Sequence, residues 1–271
     1  MPVNKGQLNK RLLVGIVLDR SSSMHAIKAE TISGTNEQFS ALRDSDDAGN
    51  TFVAFFSFSQ TVTPVFKNDD GTPKLVPCNA LEDISEADYC PSGMTAMYDG
   101  VGDAIDFFAS EAKKADDVLI VVISDGQENA SSRFTSDQIS SRVKELQDDG
   151  WNFTYIGANQ DLTQVQANLG FHAGNMLSFR ADAAGTAQMN TTLGSALRNY
   201  TTARSSAIAS GSTARLTTEN LYDMGDVTNL TGPGFGVGDS VDLTVTGGNG
   251  DGTNITVTAE DDVRDKHDEV A

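Results

Sequence analysis

The chain has 271 residues, 38% of them hydrophobic, with 13 Phe. That much apolar and aromatic material excludes disorder throughout, and the length admits more than one average domain but not two large ones. With 38 acidic against 19 basic residues the formal charge is −19. Such a surface repels phosphate backbones and anionic lipid, so nucleic acid and membrane are excluded as partners of the whole chain. Divalent cations and basic protein surfaces are favoured instead.

The polar stretch from Met1 to Asn9 reads as an N-terminal arm rather than a signal peptide, so cytoplasmic production is expected. From residue 10 onward, strand-like apolar runs alternate with helical patterns. Leu12 to Leu18 is a near-continuous apolar run, the pattern of a strand buried on both faces. A helix is expected from about Met24 to Arg43, then two strands, Thr51 to Phe58 and Thr61 to Phe66, joined by a tight turn. Lys67 to Gly93 carries Pro73, Pro77, Pro91 and the turn signal Asp69-Asp70-Gly71, and reads as mostly irregular.

Met97, Val101, Ala104, Ile105, Phe108 and Ala112 line one face of a helix. Val118 to Ile123 is a second fully buried strand. Both apolar runs fall far short of the roughly 20 residues a membrane-spanning helix needs. Thr135 to Gln147 is a further helix, with Thr135 as its cap and Gly150 just beyond its end. A strand at Asn152 to Gly157, a short helix at Leu162 to Leu169, a strand at Asn175 to Phe179 and a helix at Thr186 to Ala209 complete the alternation. The fold class is therefore α/β: a doubly wound, mostly parallel sheet flanked by helices, over residues 10–215.

The composition then changes. Residues 217–271 hold 12 acidic and 2 basic residues, a net of −10, against −9 for all of residues 1–216. Val241, Leu243 and Val245 alternate with polar residues, as do Ile255 and Val257, around a Gly- and Asn-rich connector. This predicts a hairpin with one apolar face, within a small all-β segment over 216–271. A lone hairpin is marginal in water, so the segment is expected to dock onto a phage particle or another multi-subunit assembly. Only Cys78 and Cys90 are available for a disulfide, and they read as two ordinary thiols of a reducing compartment.

In an open parallel sheet, ligands bind beyond the carboxyl ends of the strands. Three polar segments fall there. Asp19-Arg20-Ser21-Ser22-Ser23 follows the first buried strand, Gly93-Met94-Thr95 precedes the amphipathic helix, and Ser124-Asp125-Gly126 follows the second buried strand. They supply two carboxylates and five hydroxyls, hard oxygen donors that suit Mg²⁺, Mn²⁺ or Ca²⁺ and not Zn²⁺. Other features read as structural. Ser23 can cap a helix, Asp99 and Asp103 suit a helix start, and both Asp/Gly clusters lack EF-hand spacing. His25 reads as a surface residue and Trp151 as core.

The Asp-x-Ser-x-Ser, distant Thr and Asp-Gly pattern resembles the von Willebrand factor type A family and its metal-ion-dependent adhesion site. Asp19, Ser21, Ser23, Thr95 and Asp125 match its five positions. The runs Tyr89 to Ala96, Ser124 to Asn129 and Gly150 to Asp161 are similar to a soluble bacterial and bacteriophage branch, and the resemblance covers about residues 10–205. Ser22 stands where that branch usually has Gly, a change that stiffens the loop but removes no ligand. The resemblance implies an Mg²⁺ held by Ser21 and Ser23 directly, and by Thr95, Asp19 and Asp125 directly or through water. It further implies that the ion accepts an Asp or Glu from a protein partner, with no catalysis. Two alternatives stand beside this: a virion structural component using the fold as a scaffold, and a metal-assisted hydrolase with Asp19 as nucleophile.

Overall fold

The computed structural model describes residues 10–159, 161–180 and 182–224, and the backbone of 240–246 and 252–258. Strand β1 (Leu12–Asp19) leads through a 3-10 turn, Ser22–Ile27, into helix α1 (Lys28–Arg43). Strands β2 (Thr51–Phe58), β3 (Val62–Pro64) and β4 (Val76–Pro77) follow. Next come α2 (Met97–Glu111), β5 (Asp117–Ser124), α3 (Ser136–Asp148), β6 (Asn152–Ala158), α4 (Leu162–Leu169), β7 (Met176–Phe179) and α5 (Ala183–Ala209). The sheet order is β3-β2-β1-β5-β6-β7, with β4 also on β2. All pairs from β2 through β7 are parallel except the two short strands on the β2 edge.

β1 and β5 are buried along their whole length, as the apolar runs predict. Alternate side chains serve two cores. Leu12, Val14, Ile16 and Leu18 pack with Phe39 and Leu42 of α1 and Leu193, Leu197 and Tyr200 of α5. Leu13 and Val17 face Val101, Ile105 and Phe108 of α2 and Ile139 and Val143 of α3. Gly15 is required by this second layer, because an added Cβ would sit 2.5 Å from Phe108 Cε2. Trp151 is buried and stacks on Phe153.

Some boundaries differ from expectation for identifiable reasons. The expected helix from Met24 begins as a 3-10 turn, because the Ser22 N–H is held by the Gly93 carbonyl and the Ser21 N–H by Asp19. The expected strand Thr61–Phe66 keeps only Val62–Pro64, although the Val65 N–H still donates to the Phe55 carbonyl at 2.7 Å beyond it. Helix α5 starts before Thr186 because Asp182 caps it, accepting from the Gly185 N–H at 2.7 Å. Thr135 caps α3 in a full capping box with Gln138. Cys78 is buried, Cys90 is exposed, and both are free thiols.

The opposite end of the sheet carries a charge cluster that the sequence pattern did not reveal. Arg204 of α5 is fully buried and pairs with Asp47, with Asp117 Oδ2 at 2.7 Å and with the Lys10 carbonyl. Lys10 Nζ adds a second cation 3.0 Å from Asp117 Oδ1. Two buried acids are thus matched by two buried bases, and the starts of β1 and β5 are tied to α5.

Residues 215–224 lie on the α/β body, past the compositional boundary at 215. Leu221 is buried, and Leu216, Tyr222 and Met224 pack against the α1/α5 core. Asn152 Nδ2 donates to the Leu216 carbonyl at 2.7 Å, and the Leu221 N–H donates to Asn175 Oδ1 at 2.7 Å. So the expected docking segment 217–271 is divided, its first residues belonging to the body. Beyond it, Ser240–Thr246 (β8) and Gly252–Thr258 (β9) pair antiparallel, Val241 opposite Val257 and Leu243 opposite Ile255. The arm 1–9, the hairpin connector and the residues around the hairpin fall outside the described residues. Among the described residues no helix is long and apolar enough to cross a membrane.

Arg204→Ala leaves Asp47 without a cation and Asp117 with Lys10 alone, and is expected to cost about 3–5 kcal/mol in urea unfolding; the loss should shrink at low pH, where protonation removes the stranded charge. Truncation after Met224 is expected to leave the melting midpoint unchanged. Truncation after Arg215 should lower it, because burying a large apolar side chain such as Leu221 is worth about 1.5–3 kcal/mol.

Candidate metal centre

The chain leaves β1 toward β2 on one side and returns to β5 on the other, so a crevice opens beyond their adjacent carboxyl ends. Asp19 is the last residue of β1 and Asp125 immediately follows β5. Parallel pairing therefore brings residues from distant parts of the chain side by side. Asp19 is fully buried, and its Oδ1 accepts from the Ser21 N–H at 2.6 Å while its Oδ2 accepts from Ser124 Oγ at 2.6 Å. Ser21 Oγ lies 3.0 Å from Ser23 Oγ, and Ser23 Oγ donates to Asp125 Oδ1 at 2.6 Å.

Thr95 comes from the loop before α2 and is pinned from two sides. Its N–H donates to Asn129 Oδ1 at 2.9 Å, and its carbonyl accepts from the Asn129 and Ala130 N–H groups. The meeting point of the donors is marked by Gly126. A Cβ built there would lie 3.0 Å from Thr95 Oγ1 and 3.6 Å from both Asp19 Oδ2 and Ser23 Oγ. Oxygens from three separate segments ring one point beside a residue with no side chain. All five residues singled out in the sequence are brought together.

The electrostatics are those of a site short of positive charge. Burial pushes Asp19 up to about 6, against the hydrogen bonds from Ser124 and Ser21. Burial also raises Asp125, against its bond from Ser23. Among the described residues neither carboxylate forms an ion pair with Lys, Arg or His. No group of three or more His, Cys, Asp or Glu is placed to hold a metal ion among them either, so the donor set is two carboxylates and three hydroxyls. Buried charge is tolerated when a cation compensates it, and this donor chemistry fits a hard divalent ion.

Supporting residues escaped the sequence reading. Ser124 holds Asp19, Asn129 holds Thr95, and the Tyr89 hydroxyl donates to the Asp19 carbonyl at 2.6 Å. Each lies inside a run that the resemblance singled out, but only contact shows what it does. Asp99 is structural, as read, though it acts on a loop rather than a helix dipole. Its carboxylate accepts from the Ser132, Arg133 and Phe134 N–H groups. Burial opposes its ionisation, yet these donors and the Arg133 guanidinium hold it below the usual carboxylate range. Asp103 pairs with Arg133, and His25 is exposed. Asp70 accepts from the Thr72 N–H and hydroxyl, an ordinary turn.

A von Willebrand factor type A domain is matched over residues 14–191, more than half of the chain. The chain belongs to the von Willebrand factor type A family. Members mediate protein–protein interaction, commonly through a divalent metal, and are generally adhesion modules rather than enzymes. No curated protein sequence matches the chain. Among solved structures, a von Willebrand factor type A protein from Catenulispora acidiphila is 15% identical with a TM-score of 0.50, covering 70% of this chain and 43% of its own. The pilus adhesin SpaC from Lactobacillus rhamnosus GG is 11% identical with a TM-score of 0.52, covering 70% and 31%. A mutant form of the PilB minor pilin from Streptococcus sanguinis is 12% identical with a TM-score of 0.51, covering 74% and 64%. At these identities the likeness is one of fold, and the match spans less than half the length of the first of these chains.

Neutralising Asp19 tests the charge shortfall. An acid with a raised folded value contributes stability below its unfolded value, near 3.8, and loses it as pH rises through about 6. In EDTA, Asp19→Asn is therefore expected to melt above the wild type at pH 8 and to converge with it toward pH 4. The Ser124 hydroxyl can turn to accept from the new amide.

Proposed function

We propose that this domain is a non-enzymatic protein-binding module in which Asp19, Ser21, Ser23, Thr95 and Asp125 hold a divalent cation of the Mg²⁺ type. The observation that carries this reading is a fully buried Asp19 beside a half-buried Asp125, neither paired with a Lys, Arg or His among the described residues, with hydroxyls gathered around the bare Cα of Gly126. When bound, the ion supplies a Lewis-acid position that accepts a carboxylate oxygen from an Asp or Glu of a partner. The chain's own residues do the rest: Asp19 and Asp125 balance the charge, the three hydroxyls complete the oxygen set, and Ser124 and Asn129 keep Asp19 and Thr95 in place. Mn²⁺ and Ca²⁺ suit the same donors.

A hydrolytic role for Asp19 finds little support. Both of its oxygens already accept short hydrogen bonds, and among the described residues no Lys or His is paired with it to assist a leaving group. Two fold neighbours are named as a pilus adhesin and a minor pilin, names in keeping with a binding role inside a larger assembly.

Thermal melts in Mg²⁺, Mn²⁺, Ca²⁺ and EDTA test the reading. An ion at 100 times its Kd stabilises the native state by about 2.7 kcal/mol. That gain is expected in the wild type and should vanish in Asp19→Ala and Asp125→Ala. Gly126→Ala should stay folded and lose most of the gain, because its Cβ enters the space between the donors. Identical wild-type melts with each ion and with EDTA would sink the reading.

A further inference from the structure

The central sheet ends differently on its two sides. On the β2 side the outermost strands are β3 and β4, both short and each ending in a proline, Pro64 and Pro77. Short strands with proline are poor templates for further pairing. On the other side β7 comes last, and it carries no proline, no charge and no bulge. The Asn175 carbonyl accepts from Thr154 Oγ1, and the Phe179 carbonyl accepts from the Asn159 N–H, so both face β6. Alternation along the strand turns the backbone groups of Met176 and Ser178 outward. The Met176 N–H bonds back to the Ala173 carbonyl. Its carbonyl, and both the N–H and carbonyl of the exposed Ser178, have no partner among the described residues. The hairpin has the matching need: β8 and β9, seven residues each, pair with each other and with no other described strand. Both of its outer edges are open, and a two-stranded sheet alone is marginal in water.

We propose that the hairpin of one copy of this chain adds to the free edge of β7 in a second copy, and reciprocally, to give a two-fold dimer. Within one chain the hairpin and β7 belong to separate sheets, so the added strand comes from another copy. Main-chain bonds to Ser178 and Met176 carry the pairing, and the hairpin gains a third strand. Residues 215–224 make the exchange reciprocal. Asn175, directly before β7, donates to the Thr218 carbonyl and accepts from the Leu221 N–H, both at 2.7 Å. The root of the hairpin and the receiving edge thus lie on one flank. Two copies with these flanks facing close on each other instead of growing into a filament. Charge favours β7 over a second hairpin as the receiver. Arg180, exposed at the end of β7, meets the acidic segment, whereas two hairpins would oppose segments of −10 each.

Sedimentation velocity on the full chain, from about 1 μM to about 1 mM, tests the pairing. The contact is small, so half-dimerisation is expected on the order of 10 μM or above, and dilute chains melt as monomers. Ser178→Pro removes the outward N–H and spares the bonds to β6. It should raise the half-dimer concentration about tenfold or more, and so should deletion of residues 240–258. Hydrogen exchange needs no substitution: concentrating the wild type should slow the Ser178 amide about tenfold, while the Leu177 amide, which faces β6, changes little. That measurement decides the matter if Ser178→Pro does not fold. A wild type that stays monomeric throughout the range, or a dimer that survives both changes, overturns the proposal. A dimer lost with 240–258 but indifferent to Ser178→Pro, its Ser178 amide still exchanging freely, means that hairpins pair with each other and overturns it. A dimer lost in Ser178→Pro but kept without 240–258 means that β7 pairs with β7, and overturns it as well.

Discussion

Parallel pairing of β1 with β5, with Leu12 opposite Asp117 and Leu18 opposite Ile123, governs both ends of this molecule. The two strands are buried on both faces, so their ends are where polar side chains gather, and the register decides which ones meet. At the starting end, Asp117 and Asp47 meet Arg204 and Lys10. At the carboxyl end, Asp19 and Asp125 meet hydroxyls, backbone N–H groups and one another's field. One end is neutralised from within the chain and the other is not. Burial raises Asp19 to about 6, whereas no comparable unpaired acid exists at the far end among the described residues. A site built to take up positive charge is the direct consequence of that asymmetry.

Around this frame the loops act as positioning devices. The 3-10 turn over Ser22–Ile27 keeps Ser21 and Ser23 on one side of the loop, which a helix started at once would not do. Asn129 and Ala130 grip the backbone of Thr95, so the segment before α2 cannot drift from the loop after β5. Glu128 and Asp99 knit residues 130–134 to the first turn of α2 through backbone N–H donors. Geometry at the oxygen cluster is therefore held by charge-assisted bonds to carboxylates, which are stronger than neutral pairs.

Residues 215–224 show why composition is a poor guide to where a folded body ends. Their acidic and polar character matches the segment that follows, yet Leu221 and Tyr222 fill a gap in the α1/α5 core. A few apolar side chains decide membership of the core, and an average over 55 residues hides them.

Much was legible in the sequence by itself because its signals are local. The apolar runs at Leu12–Leu18 and Val118–Ile123 predict doubly buried strands, and the 3.6-residue period from Met97 predicts α2. Thr135 marks the start of α3, and polar residues at strand ends, taken with the family pattern they resemble, single out the five oxygen donors. What only the tertiary structure decided depends on residues far apart in the chain. The Arg204 cluster joins α5 to residues 10, 47 and 117, and no spacing rule announces such a contact. Ser124, Asn129 and Tyr89 are unremarkable letters until the sheet brings them to Asp19 and Thr95. Charge state belongs to the same class: an aspartate in sequence has its ordinary affinity for a proton, and only burial beside β5 raises that of Asp19.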